Sequence, residues 1–532
     1  MLDLTIEGGT VLDGTGTSGG RMDVGIRDEK IAALGDLGRE PAANRLRATG
    51  RVVAPGFIDV HSHSDWRLWG NRRAESKIRQ GVTTEVVGNC GFSPAPVSSD
   101  HVDDLRGFAL YLPPGMDFHW RSVRDYLKAY DSEGTALNVV QLVGHGTLRV
   151  AAMGFARRPP TTAELTSMER LMTAAMEEGA WGLSTGLIYA PGSYAATDEI
   201  VAVARMAARY RGFYASHIRG EGATLLPAVR EAISVGREAE LPVQISHIKA
   251  AGRPNWGRVG EALGLVDEAR AAGLDVMADV YPYTASSTPV RTLLPDWALE
   301  DGIDAMLARL ADPDARARIR RDLQAPPAVG TSLLDRLGWD DIMIAYCARR
   351  KDAEGQRLSQ IAAARGMDPL DAALELIADE AGKASMILFQ LDERDLRGAL
   401  THPSVMIGSD GSALAPYGEM GAGKPHPRSY GTFPRVLGEY TREQRLLSLP
   451  QAIHKMTGLP ARRLGLRDRG TVRVGARADL VVFDPRAVAD RATYDDPHRY
   501  PIGIEHVLVN GRFVVKDGQH TGSLPGRVLT PF

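Results

Sequence analysis

The chain has 532 residues, more than one ordinary compact core organises and enough for one large α/β unit plus a smaller one. Its 44% hydrophobic and 24% charged residues are those of a globular protein in water. A formal net charge of -3, with no run of like charge, gives no electrostatic handle for nucleic acid or an anionic membrane.

The start, Met1-Leu2-Asp3-Leu4-Thr5-Ile6-Glu7, lacks the basic and apolar regions of a signal peptide, and no apolar run is long enough to span a bilayer. Two cysteines, Cys90 and Cys347, cannot build a disulfide framework, which fits a reducing compartment. A cytoplasmic location is therefore expected. Cys347 reads as a small buried hydrophobe.

In chain order, the first fifty or so residues read as short strands and turns: Leu4-Thr5-Ile6 before Gly8-Gly9, Thr10-Val11-Leu12 before Asp13-Gly14, Asp23 to Ile26 before Asp28-Glu29-Lys30. Apolar strand-like runs then alternate with helical stretches, the texture of repeated βα units. The predicted strands are Val52 to Val60, Thr84 to Gly88, Leu137 to Val143, Trp181 to Ser184, Phe213 to Ser216, Val243 to Ser246, Val276 to Val280 and Val405 to Gly408. Helices are predicted over Thr162 to Glu178, Ala223 to Ala239 and Val259 to Ala272. Eight such strands suit a (β/α)₈ barrel. Ile342 to Tyr346 and Ser385 to Phe389 are further strand candidates, assigned to an insertion over the active-site mouth. Short strands return at the end, in Gly470 to Val472, Asp479 to Asp484 and Val507 to Val515. The two ends either pair into one β domain or form two separate appendages.

The polar residues fall where these strands end: His61 and His63 after the first, Cys90 after the second, His217 after the fifth, His247 after the sixth and Asp410 after the eighth. In a barrel these positions converge on the C-terminal face, where such enzymes keep their active sites. His61 and His63, two apart on an extended backbone, point the same way and can share a metal. A lone strand-end histidine is more often structural, and an aspartate in Ser-Asp-Gly more often a turn residue. Four histidines, a thiol and a carboxylate at strand ends together point to a metal, with Zn²⁺ favoured over Fe²⁺ or Co²⁺. Six ligands exceed one tetrahedral site, so either two metal positions share Cys90 as a thiolate bridge or one site is filled beside spare ligands. Zinc has no redox chemistry, so hydrolysis is expected, with Asp410 moving the proton.

The run Val53-Ala54-Pro55-Gly56-Phe57-Ile58-Asp59-Val60-His61-Ser62-His63 resembles the opening of the amidohydrolase superfamily. Gly88-Asn89-Cys90-Gly91, Gly182-Leu183-Ser184-Thr185-Gly186, Ser216-His217-Ile218-Arg219, Ser246-His247-Ile248-Lys249, Tyr281-Pro282-Tyr283-Thr284-Ala285 and the run from His426 to Arg435 narrow the resemblance to its N-acyl-D-amino-acid deacylases. The resemblance implies a distorted (β/α)₈ barrel over residues 55–464, inserted around 285–400, and a β-sandwich from residues 1–54 and 465–532. It implies one tight zinc on Cys90, His217 and His247, and a weaker position lined by His61, His63 and Asp410, with Asp410 as general acid/base. It also implies that Lys249, Tyr281 and Ser287 hold the substrate α-carboxylate, with Tyr283 as the competing tyrosine. Arg291 lies where an acidic substrate side chain could be met but reads rather as a surface arginine on the insertion, and the run from Arg428 reads as part of the same mouth. Two segments depart from the family pattern: Ser62 with Ser64-Asp65-Trp66, bulkier than expected beside the first ligands, and Thr288 to Leu337, which matches nothing. The expected reaction is hydrolysis of a small N-acyl-D-amino acid. A cyclic-amide hydrolase or an inactive scaffold of the same fold are the alternatives.

Overall fold

The structure, a computed structural model, describes residues 1–109, 111–113, 116–324 and 337–531. Part of the unmatched stretch from Thr288 to Leu337 therefore lies outside the described residues.

Eight parallel strands run through the middle of the sequence: β1 (Phe57–Asp59), β2 (Val82–Val87), β3 (Asn138–Gln141, resuming as Val143–Gly144 after Leu142), β4 (Gly182–Gly186), β5 (Phe213–His217), β6 (Val243–Ile245), β7 (Val276–Val280) and β8 (Val405–Ile407). They are arranged as a three-stranded sheet, β1-β2-β3, and a six-stranded one that continues from the second half of β3 through β8. Beyond the last strands, Ser62 bridges Gly411 in parallel, and Asp410 N donates to His61 O at 2.7 Å. All eight strands are buried on both faces, which is why they read as apolar runs rather than alternating ones. Ile58 and Val60, Val140 and Leu142, Phe213 and Ala215 meet in one cluster, while Phe57, Val82 and Val139 face the surrounding helices.

The predicted first strand, Val52 to Val60, is two strands in different sheets. Val52–Pro55 pairs antiparallel with Leu480–Phe483, whereas Phe57–Asp59 pairs with β2. Pro55 and Gly56 make the break: a Cβ at Gly56 would stand 2.2 Å from the Thr83 side chain, so only glycine lets the backbone pass. That antiparallel pairing joins the two ends of the protein in a single nine-stranded sheet. Leu2–Val11 is one strand with an irregular register between Ile6 and Gly9, where two were expected.

Ile342–Tyr346 and Ser385–Leu388 lie apart from the parallel strands. With Ser286–Pro289, which the sequence did not suggest, they form an antiparallel sheet over a hydrophobic cluster of their own. The helices follow expectation at Thr162–Glu177, Leu225–Ala239 and Val259–Ala271. Among the described residues no helix is long and apolar enough to cross a membrane.

Candidate metal centre and active site

His61 and His63 follow β1, Cys90 follows β2, His217 ends β5, His247 follows β6 and Asp410 follows β8. Cys90, His247 and Asp410 have left-handed backbones, with φ of 54°, 35° and 51°. Non-glycine residues held there cost about 1–3 kcal/mol each and recur at functional sites. Packing enforces one of these turns: a Cβ at Gly186 would lie 2.0 Å from Cys90 O, so β4 lies directly against the Cys90 loop.

The side chains converge. Ligand atoms of His61, Cys90, His247 and Asp410 all lie within 4.8 Å of one another, as do those of His217, Glu221 and His247. Cys90 Sγ stands 3.3 Å from His61 Nε2 and 3.5 Å from His247 Nε2. Asp410 Oδ1 is 3.4 Å from His61 Nε2 and 3.0 Å from His63 Nε2. Asp410 Oδ2 meets Arg428 Nη1 at 2.7 Å, an ion pair without hydrogen-bond alignment, so that nitrogen still lacks a hydrogen-bond acceptor. Both ring nitrogens of His217 are buried without a hydrogen-bond partner. Buried nitrogens left unpaired in this way are the mark of a ligand-holding centre rather than of a finished core.

Burial opposes charge throughout this cluster, and the neighbours reverse it. Burial raises the Cys90 thiol, but the charge of His61 and hydrogen bonds with His247 and His61 bring it well below the usual range. Burial likewise raises the Asp410 carboxyl, yet Arg428, His247, His63 and His61 hold it well below the usual carboxylate range. A thiolate and a carboxylate facing four imidazoles form a donor set that suits Zn²⁺.

Two buried carboxylates behind the histidines escaped sequence reasoning. Asp279, on β7, receives His247 N at 2.8 Å and Gln244 Nε2 at 2.6 Å, and lies 3.2 Å from His61 Nδ1. The signal was available: an aspartate inside the apolar run Val276 to Val280. Glu221 Oε1 lies 3.6 Å from His217 Nε2, 3.3 Å from His247 Nδ1 and 2.5 Å from Lys249 Nζ. Its place in an Arg-Gly-Glu loop reads as surface, and nothing in the sequence marks it. Ser62 and Ser64, among the departures from the family pattern, hydrogen-bond each other at 2.7 Å beside the buried Glu85.

The cluster opens into a cavity of about 500 Å³ lined in part by His63, His217, Lys249, Tyr281, Ser287 and Arg428. Tyr283, the competing tyrosine, is not among its lining residues. The Tyr281 hydroxyl is buried without a partner, whereas Lys249 Nζ is engaged by Glu221 and by His247 Nδ1 at 2.7 Å. His426 donates through Nε2 to Ala285 O at 3.0 Å and accepts Arg428 N at Nδ1, which fixes the Arg428 backbone. Arg291 is partly buried in the cavity wall, not on the surface, and burial pulls it down to about 10.

The model of the amidohydrolase family matches residues 48–515. This chain belongs to that family. Its similarity to the N-acyl-D-glutamate deacylase of Alcaligenes xylosoxydans xylosoxydans is 42% identity, covering 99% of this chain and 96% of that protein. Among solved structures, the N-acyl-D-glutamate deacylase of Bordetella bronchiseptica, complexed with zinc and a phosphonate mimic of the tetrahedral intermediate, superposes with a TM-score of 0.83 at 38% identity over 99% of each chain. A D-aminoacylase studied for its binuclear metal centre gives the same TM-score at 39% identity over 100% of each chain. The family resemblance read from the sequence motifs therefore holds along the whole length of this amidohydrolase.

Proposed function

We propose that this amidohydrolase is a zinc-dependent N-acyl-D-amino-acid deacylase, cleaving a small N-acylated substrate to a carboxylate and a free D-amino acid. The observation that carries the reading is the buried convergence of His61, Cys90, His247 and Asp410, in a protein similar over its length to such deacylases. Cys90, His217 and His247 are assigned the tight zinc, and His61, His63 and Asp410 a weaker second position, with Cys90 between them. The unpaired nitrogens of His217 and the depressed Cys90 thiol fit that role. Zinc bound there supplies a Lewis acid for the amide carbonyl and lowers the pKa of water to about 7.

Asp410 takes the proton of the attacking water and returns it to the leaving nitrogen. Arg428 holds one of its oxygens, keeping the other beside His61 and His63. Tyr281, with its unpartnered hydroxyl, Ser287 and Lys249 receive the substrate α-carboxylate. To do so, Lys249 shares its ammonium between that carboxylate and Glu221. The two parallel sheets are read as one closed, distorted (β/α)₈ barrel over residues 55–464 with the insertion at its mouth. The nine-stranded sheet is read as a β-sandwich domain from residues 1–54 and 465–532. The substrate is a small molecule, the setting cytoplasmic, and neither nucleic acid nor membrane is a partner.

The test is a parallel assay of the zinc-loaded protein on N-acetyl-D-amino acids, N-acetyl-L-amino acids and hydantoins. Turnover of the linear N-acetyl-D-amino acids supports the assignment. Turnover of cyclic amides alone, or of nothing, overturns it.

A further inference from the structure

The cavity wall carries six lysine or arginine side chains and three carboxylates. Most of the cations are already engaged. Lys249 bonds Glu221, Arg428 pairs with Asp410, and Arg106 reaches Asp117 at 3.2 Å and Met116 O at 2.9 Å. Arg291 donates to Gly382 O at 3.2 Å and Phe108 O at 3.4 Å, and Lys383 is exposed to solvent.

Arg67 differs from all of them. Among the described residues its side chain has neither an ion pair nor a hydrogen bond; its backbone carbonyl accepts Asn71 N. Its guanidinium carbon sits 3.7 Å from the centroid of the Tyr111 ring. Glu419, the third acid of the wall, is exposed and makes no ion pair with it. Arg67 is partly buried, and that burial lowers its pKa against the weak opposing pull of Tyr111, Tyr346 and Tyr430. An arginine stays charged in such a place, so its desolvation is uncompensated until an anion arrives. Stacking on Tyr111 holds the guanidinium plane while leaving the N–H fork free in that plane, which is the geometry of bidentate carboxylate recognition.

Its place in the fold says which anion. Arg67 lies four residues beyond His63 in the segment after β1, whereas Lys249 and Tyr281 follow β6 and β7. Asp410 follows β8, which pairs with β7 and whose end bonds the end of β1, so in strand order Asp410 falls between the two groups.

We infer that Arg67 is a second anion subsite, which receives a carboxylate of the substrate other than the α-carboxylate and makes this protein a deacylase of dicarboxylic N-acyl-D-amino acids. The inference rests on the deacylase assignment and names its substrate class. The second carboxylate comes either from the amino-acid side chain or from the far end of a dicarboxylic acyl group, and both present the same chemistry to the fork.

The test compares kcat/KM for two matched pairs on the zinc-loaded protein: N-acetyl-D-glutamate against N-acetyl-D-glutamine, and N-succinyl-D-glutamine against N-butanoyl-D-glutamine. Wild type is expected to favour the dicarboxylate of one pair by ~10–100-fold, carried mainly in KM, as expected of a charge-assisted bidentate contact. Arg67→Met removes most of that preference, and Arg67→Lys, which keeps the charge and loses the fork, falls between. Zinc content and the thermal transition are followed for both variants, so a collapsed fold is recognised and the Lys variant then decides. The pair that shows the preference identifies the source of the carboxylate. Equal rates within both pairs, or a preference that both variants keep, overturn the subsite while hydrolysis of N-acetyl-D-glutamine leaves the deacylase assignment standing. Failure to hydrolyse any of the four overturns that assignment and the subsite together.

Discussion

Replacing Asp279 by Asn is expected to loosen the metal centre while leaving the fold intact. Asp279 Oδ1 receives His247 N at 2.8 Å and lies 3.2 Å from His61 Nδ1, and Oδ2 receives Gln244 Nε2 at 2.6 Å. An asparagine of the same shape keeps one oxygen for His247 N but turns its amide nitrogen toward Gln244 Nε2, donor against donor. Gln244 relieves this by flipping its amide, since its Oε1 is buried without a partner. The negative charge behind His61 Nδ1 is not recovered. Carboxylates that orient a metal-binding histidine are worth ~10–100-fold in metal affinity or activity. Asp279→Asn should therefore weaken zinc binding by about 10–100-fold, or ~1.4–2.7 kcal/mol, and lower kcat/KM in proportion. Competition with a chromogenic chelator measures the affinity, and the thermal transition controls for folding. Unchanged zinc affinity with a lowered transition would make Asp279 a purely structural residue and refute the reasoning.

Three further outcomes are expected. Asp410→Ala should keep tightly bound zinc and lose ~10²–10⁴-fold in kcat, the usual range for a general acid/base, and a full rate at full zinc would remove Asp410 from that role. Lys77 is fully buried with Asp59 Oδ2 at 2.8 Å and Glu85 Oε1 at 3.0 Å, so Lys77→Met leaves two carboxylates without their counter-charge. Chemical denaturation should show a loss of about 3–5 kcal/mol, and a neutral result would refute a stabilising role for the buried Lys77 ammonium. Burial lowers Lys455 from 10.5 to about 8, so between those values the unfolded state binds a proton that the folded state lacks. Folding stability therefore rises with pH across that window, by up to about 3 kcal/mol, and the difference between wild type and Lys455→Met should carry this slope. A flat difference curve would contradict it.

The strands and the convergence of the polar side chains were legible because both leave traces along the chain. Continuous apolar runs mark strands buried on both faces, and a histidine, thiol or carboxylate at the end of each run stands out against them. Val52 to Val60 misled because Pro55-Gly56 sits inside a run that looks continuous, while the sheet change is dictated by the close approach to Thr83, a long-range contact. Glu221 and Lys77 were invisible for the opposite reason. Each is charged in a segment that reads as solvated, and only tertiary packing brings the partners that bury it. Asp279 lay between these cases, since a carboxylate within an apolar strand announces burial but not what it faces. Arg67 carries no local signal at all: its role depends on Tyr111 and on the lack of a pairing acid among the described residues.

The most direct measurement is the zinc stoichiometry of purified wild type and Cys90→Ala, with the rate on an N-acetyl-D-amino acid recorded on the same samples. Wild type should hold at least one zinc per molecule and hydrolyse the substrate. Cys90→Ala should retain its secondary structure and lose both metal and activity, because the proposed tight position is built on that thiolate. A Cys90→Ala protein that keeps full zinc and full rate would contradict the account.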